Sequence, residues 1–177
     1  MMADFNKVFD AGDVDGGVIN VINEIPKGSN LKVEWNRHLA VFELDRVEPQ
    51  IFNKPCNYGF IPQTLDDDGD ELDVLLLLDG AVPTGVKVNG RVVGIMNFED
   101  DGEMDHKVVC VAADDRHWGD TIQNIDDVSD VWKKQVEHHF NHYKDLKKPG
   151  STTVLGWGGV DEAKATIKEC QARWSQQ

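Results

Sequence analysis

The sequence has 177 residues, the usual size of one domain and enough to bury a core, so residues 1–177 are read as one domain with one site. Its 18 Lys and Arg against 32 Asp and Glu leave a net charge of -14, which argues against nucleic acid or an anionic membrane as partner. Cys56, Cys110 and Cys170 are too scattered for a zinc site and odd in number for a disulfide framework, which fits a reducing, cytoplasmic compartment. The first residues are acidic where a secretory leader would be basic and apolar, and the apolar run Val74 to Leu78 stops at Asp79, so no membrane segment is expected.

Periodicity and turn residues predict strands over Val18–Ile25, Leu31–Trp35, Leu39–Leu44, Leu72–Leu78, Val86–Met96 and Lys107–Ala112. Within Leu31–Trp35 the apolar Leu31, Val33 and Trp35 alternate with Lys32 and Glu34, so the strand should bury the first set and present an ammonium beside a carboxylate on its other face. The last third reads as helical. One helix begins near Asp127 or Ser129 as N-cap, carries Val128, Trp132, Val136, Phe140 and Tyr143 as its apolar stripe, and should run to about Leu146. A second starts near Asp161 and shows Val160, Ala163, Ile167, Cys170 and Trp174 at steps of three and four. Strands first and helices last indicate the α+β class, and several short strands around one core indicate a small barrel.

Asp66 to Asp73, DDDGDELD, puts six carboxylates into eight residues around Gly69. Such crowding costs repulsion unless cations neutralise it. An exposed acidic turn is the plain alternative, but the apolar strand that follows draws Asp73 towards the interior. An EF-hand is excluded, because with Gly69 at the loop's sixth position the first ligand would be Thr64 and the twelfth Leu75. A second acidic segment, EDDGEMDHK, runs from Glu99 to Lys107. Two such turns facing each other would make an oxygen-only site suited to magnesium or manganese, and carboxylates bridging metals serve the hydrolysis of phosphoryl groups. His138 and His142 have the spacing of zinc ligands on one helix face, yet no third ligand accompanies them, so they are read as surface or subunit-contact residues.

Around these segments stand EIP at Glu24 to Pro26, KVE at Lys32 to Glu34, Asp45 with Arg46, PCNYGFIP at Pro55 to Pro62, HYKDL at His142 to Leu146, and Gly156 with Trp157. With Asp68, Gly69, Asp70, Glu71, Leu72 and Asp73 in the place of the signature, the sequence from about Val18 to Ala163 resembles the soluble family I inorganic pyrophosphatases of bacterial type. The resemblance implies a five-stranded, OB-like β-barrel with two main C-terminal helices packed outside, and hydrolysis of pyrophosphate to two phosphates. It implies that Asp68, Asp73 and Asp105 hold two magnesium ions, that Asp100 holds metal arriving with the substrate, and that Asp70 accepts the proton of the attacking water. Lys32, Arg46, Tyr58, Lys107, Tyr143 and Lys144 match the family's phosphate-contacting positions, and Glu24 and Glu34 match carboxylates lining the same cavity. Magnesium is the implied cofactor, with manganese or zinc as substitutes, and the implied assembly is a homohexamer, with a smaller dimer as the alternative.

Two departures stand out. Lys54 occupies a position where the family often has an aromatic residue, which would make the rim of the site more basic, and Glu99 lies next to Asp100 as a second candidate for the substrate-borne metal. A cation-binding module without catalysis would leave Lys32, Arg46, Tyr58 and Lys144 without purpose. A hydrolase of nucleoside or sugar diphosphates would need a stacking surface that no segment clearly offers.

Overall fold

A computed structural model describes residues 4–176; residues 1–3 of the acidic N-terminus and residue 177 lie outside the described residues. A single turn α1 (Phe5–Val8) and a short strand β1 (Gly12–Asp13) lead into β2 (Val18–Ile25), β3 (Leu31–Asn36) and β4 (Val41–Val47). Next come β5 (Asn57–Phe60), β6 (Asp73–Leu77), β7 (Lys87–Asp100), β8 (Glu103–Met104) and β9 (Lys107–Ala112). The chain ends with α2 (Asp130–His142), β10 (Thr152–Gly158) and α3 (Val160–Trp174).

β2 pairs with β5, β5 with β6, β6 with β9 and β9 with β7, and β7 returns to β2. Five strands thus close a mixed barrel in which only β6 and β9 run parallel. The 14-residue β7 makes closure feasible, because its first part lies on β2, its middle on β9 and its last part on β10. Where β2 crosses β5, a Cβ on Gly59 would stand 2.0 Å from the carbonyl oxygen of Ile22, so this approach admits only glycine.

Both faces of the central strands are buried, which is why β6 and β9 read as continuous apolar runs. Val74, Leu76, Val108 and Cys110 pack with Ala163, Ile167 and Cys170 of α3. The alternate residues Leu75, Leu77, Val109 and Val111 pack with Val136 and Phe140 of α2. A third cluster of Phe5, Ile22, Trp35 and Phe60 anchors one end of the β3–β4 hairpin.

That hairpin is a separate two-stranded sheet, and this corrects the expected burial of its first strand. Trp35 is buried, but Val33 is only partly so and Leu31 is exposed, because the barrel meets the hairpin at the Trp35 end alone. Other differences concern the helices and one strand's bounds. Helix α2 stops at His142 rather than Leu146, Ser129 stands at its N-cap without a side-chain capping bond, and β10 separates the two helices. The expected strand Leu39–Leu44 is shifted to Val41–Val47.

His139 is the one titratable residue buried with Val136 and Phe140 of α2, and its Nε2 has no hydrogen-bond partner. Burial pushes the imidazole down to about 3, with Lys54 and His138 adding to the effect. It is therefore neutral in the fold but takes up a proton in the unfolded chain below the ordinary 6.5, so stability present above that pH is lost as pH falls from 6.5 towards 3. At pH 5 this linkage amounts to about 2 kcal/mol. Replacing His139 by Phe should shrink the stability lost between pH 7 and pH 5 by that amount in urea denaturation at fixed protein concentration. An unchanged difference between the two pH values would remove His139 from the account.

Candidate active site

The parallel pairing of β6 with β9 sets Asp73 directly opposite Lys107 at the start of both strands. Lys107 is only 2% exposed, and its Nζ donates to Asp73 Oδ2 and to Asp105 Oδ1, each at 2.7 Å. Tyr58 stands on the neighbouring strand β5 and donates its hydroxyl to the same Asp73 oxygen. Burial alone would weaken the Lys107 ammonium, but Asp73 and Asp105 outweigh it and hold the lysine above its ordinary value.

These residues form the floor of a cavity of about 630 Å³. On the acidic side it is lined by Glu24, Asp68, Asp70, Asp73, Asp100 and Asp105, so the two acid-rich segments do face each other. The hairpin contributes Lys32 and Glu34, which pair with each other, and Lys32 also lies 3.6 Å from Asp45. From the end of α2 and the turn after it come Tyr143 and Lys144, whose hydroxyl and ammonium reach Asp100 at 3.1 Å and 2.5 Å. Asp100, unlike Glu99, lines the cavity. Arg46 does not line it. Its guanidinium is held by Asp45 and Glu48 and borders an adjoining gap shared with Lys32, Lys54 and Tyr143.

The turn between β5 and β6 sorts its acids by direction. Asp66 and Asp67 turn away to Arg173. Asp68 and Asp70 stay with the cavity, as does Glu71, which is buried against Asn6 and Arg37. The main-chain N–H of Asp70 donates to Asp68 Oδ1 at 3.0 Å, while the Asp70 side chain is exposed and meets Arg37 at 3.1 Å.

The pattern of the inorganic pyrophosphatase family matches residues 21–175. Over 176 residues the chain is 61% identical to the inorganic pyrophosphatase of Neisseria meningitidis serogroup B, covering 99% of both chains. It is 59% identical over 175 residues to that of Haemophilus influenzae, again covering 99% of both. A crystal structure of an inorganic pyrophosphatase from Neisseria gonorrhoeae superposes with a TM-score of 0.95 at 61% identity, over 97% of this chain and 99% of that one. The chain belongs to the inorganic pyrophosphatase family.

Membership of the inorganic pyrophosphatase family implies a divalent cation, and the donor set fits one. Among the described residues no three His, Cys, Asp or Glu side chains close tightly around one point. Lys107 draws on one oxygen each of Asp73 and Asp105, however, which leaves Asp73 Oδ1 and Asp105 Oδ2 without a hydrogen-bond donor among the described residues. Nearby, burial holds the Asp68 carboxyl up to about 6, opposed by the Asp70 N–H and reinforced by the charges of Asp73, Asp105 and Asp70. Glu24 is held well above the carboxylate range by burial, with Asp73 adding, although it accepts the Trp35 N–H at 2.7 Å. Oxygen donors that repel one another suit a hard cation.

Further groups of this pyrophosphatase cavity were given no role from the sequence, among them Arg37, His38, Glu43 and Asp45. Arg37 grips the Gly69 carbonyl, Asp70 and Glu71 and so fixes the acidic turn. A lone Arg in a hairpin turn carries no signal of its own. Lys54 is not a rim residue as expected; its ammonium stands inside, over the Tyr58 ring at 4.4 Å.

Removing the Lys107 charge tests the floor. Lys107→Met strands two carboxylates beside Asp68, and breaking a buried pair of this kind costs on the order of 3 kcal/mol. Denaturation in chelator should show that loss, and millimolar magnesium should recover more stability in the variant than in the parent. Equal stability of both proteins in chelator would contradict the assignment.

Proposed function

We propose that the chain hydrolyses inorganic pyrophosphate to two phosphates in a magnesium-dependent reaction, with residues 1–177 acting as one domain around one site. The observation that carries this reading is the joining, in one cavity, of an acidic wall with Lys32, Tyr58, Lys107, Tyr143 and Lys144. Carboxylates alone would serve a cation store. Cationic and hydroxyl donors aimed into the same space call for an anion that arrives with cations.

In this reading Asp68, Asp73 and Asp105 hold magnesium, and Asp100 holds magnesium brought with the substrate. Bound there, magnesium neutralises the carboxylates and lowers the pKa of water in the cavity. Asp70 accepts the proton of the attacking water as its oxygen bonds to phosphorus. The pair of electrons of the broken P–O bond stays on the bridging oxygen, which leaves with the second phosphate. Lys32, Lys107, Lys144, Tyr58 and Tyr143 donate to phosphoryl oxygens, and donors that strengthen as charge gathers on the leaving group lower the barrier. Arg46, one strand away from Lys32 in register, reaches the substrate only by leaving Glu48 or Asp45. Glu24 and Glu34 complete the wall.

A homo-oligomer, a hexamer by resemblance, and a cytoplasmic location belong to the same reading. The exposed apolar Val47 and Ile51, outside the cavity, support self-association, which sedimentation velocity would read directly. Among the described residues no helix is long and apolar enough to cross a membrane.

Phosphate release from pyrophosphate should vanish in excess chelator and return with magnesium, while ATP and a nucleotide sugar should release at least about a hundredfold less, since the ring faces of Tyr58, Phe140 and Tyr143 are already covered by lysine ammoniums and leave no open platform for a base. Full turnover in chelator would sink the metal reading, and equal rates on ATP would sink the substrate. Asp70→Asn separates base from ligand. Turnover should fall by about 10² to 10⁴, the usual worth of a positioned base, while calorimetric magnesium affinity stays within about threefold. A large loss of magnesium affinity would make Asp70 a ligand instead.

A further inference from the structure

The cations of the cavity are engaged almost without exception. Lys32 pairs with Glu34 and Asp45, Arg37 with Asp70 and Glu71, Lys107 with Asp73 and Asp105, and Lys144 with Asp100 and Asp101. Lys54 is different. Among the described residues no carboxylate oxygen lies within 4.0 Å of its Nζ, and the ammonium has no hydrogen-bond acceptor. Its only close partners are ring faces: Tyr58 at 4.4 Å, Phe140 at 5.1 Å and Tyr143 at 5.5 Å.

Such faces attract a cation, but they accept none of its three N–H bonds. The same two rings, Tyr58 and Phe140, also lie 5.6 Å and 5.8 Å from the Lys107 ammonium. Two like charges therefore share one aromatic floor, and Lys107 already has its carboxylates. Burial draws Lys54 down to about 8, and Lys107 adds to that effect. Behind Lys54, His139 is neutral and offers no counter-charge. An anion entering here would supply the missing acceptor and offset the repulsion, and no existing ion pair would have to break. Lys54 borders both the main cavity and the adjoining gap, in the corner it shares with Lys32 and Tyr143.

We propose that Lys54 is a substrate-binding residue whose ammonium, held over Tyr58, Phe140 and Tyr143, takes a phosphoryl oxygen of pyrophosphate in the corner shared with Lys32 and Tyr143. This rests on the pyrophosphate reading above. Because its charge is equally available to substrate and transition state, its contribution falls on affinity and little on turnover. Methionine keeps the stem over the rings and removes the charge; arginine keeps the charge.

The test combines steady-state kinetics on pyrophosphate at saturating magnesium with calorimetric binding of methylenediphosphonate, a non-hydrolysable analogue. Lys54→Met should raise KM and weaken analogue binding about tenfold each, with kcat within about threefold and a thermal midpoint in ligand-free buffer no lower than the parent's. Lys54→Arg should keep both affinities within about threefold. Parent-like KM and analogue affinity in Lys54→Met would overturn the proposal. So would an arginine variant as impaired as the methionine one, since shape rather than charge would then decide. If the methionine variant does not fold, Lys54→Gln carries the same expectations. A parent that does not hydrolyse pyrophosphate overturns the underlying reading as well, whereas an active parent with unaffected variants overturns the Lys54 inference alone.

Discussion

The site depends on one buried ammonium. Lys107 stands at the start of β9 with almost no exposure, between Asp73 and Asp105, and a lysine so placed is tolerable only because both carboxylates answer it. That arrangement fixes more than a charge. The parallel register puts Asp73 opposite Lys107, β5 brings Tyr58 alongside, and the same alternation sends Leu75, Leu77, Val109 and Val111 into the cluster covered by α2. Packing below and ion pairing above are consequences of one strand alignment. A slip of one residue would exchange the faces packed under α3 and α2 and take Asp73 out of its place opposite Lys107.

An acidic protein with an anionic substrate poses an electrostatic problem that the cavity distributes among its walls. Lys32, Arg37, Lys107 and Lys144 are each tied to carboxylates, so at rest these four are screened by acids, and among the described residues Lys54 alone of the cavity's lysines and arginines is left on ring faces. Burial holds Glu24 towards its neutral form, which removes one negative charge from the crowd. Residual acid charge on Asp68, Asp73 and Asp105 then favours cations first and phosphate with them.

Much of this architecture was legible in the chain. The bounds of β2 follow from the glycines before it and the proline after it, those of β9 from its apolar run, because a barrel strand buried on both faces must be nearly all apolar, and the stripes of α2 and α3 follow from helical period. Asp68, Asp73, Asp100 and Asp105 are implied by the family resemblance that the dense acidic motif carries, and all four line the cavity. What was not legible depends on contacts between distant segments. β5 and β10 carry Gly59 and Gly156, Gly158 in short runs, so propensity is silent on them. Leu31 was misjudged because alternation tells which residues share a face but not whether anything covers that face. Arg37 and the inward turn of Lys54 are set by partners more than 30 and by rings up to about 90 residues away.

Within one turn, the chain gives two carboxylates two different environments, and backbone geometry is the reason. Gly69 has φ +91°, a left-handed conformation with open space where a side chain would be, so conformation rather than crowding requires glycine. The reversal lets Gly69 N–H bond to Asp66 and Asp66 N–H to the Asp70 carbonyl, closing the loop on itself. Arg37 locks it by taking the Gly69 carbonyl. Asp68, before the reversal, is partly desolvated among other acids and is held up to about 6; Asp70, after it, projects into the open beside Arg37. Two groups of one kind placed in unlike surroundings can take unlike roles. The crowded one gains most from a cation, whereas the open one, beside Arg37, is accessible to water, as the proposed proton acceptor needs to be.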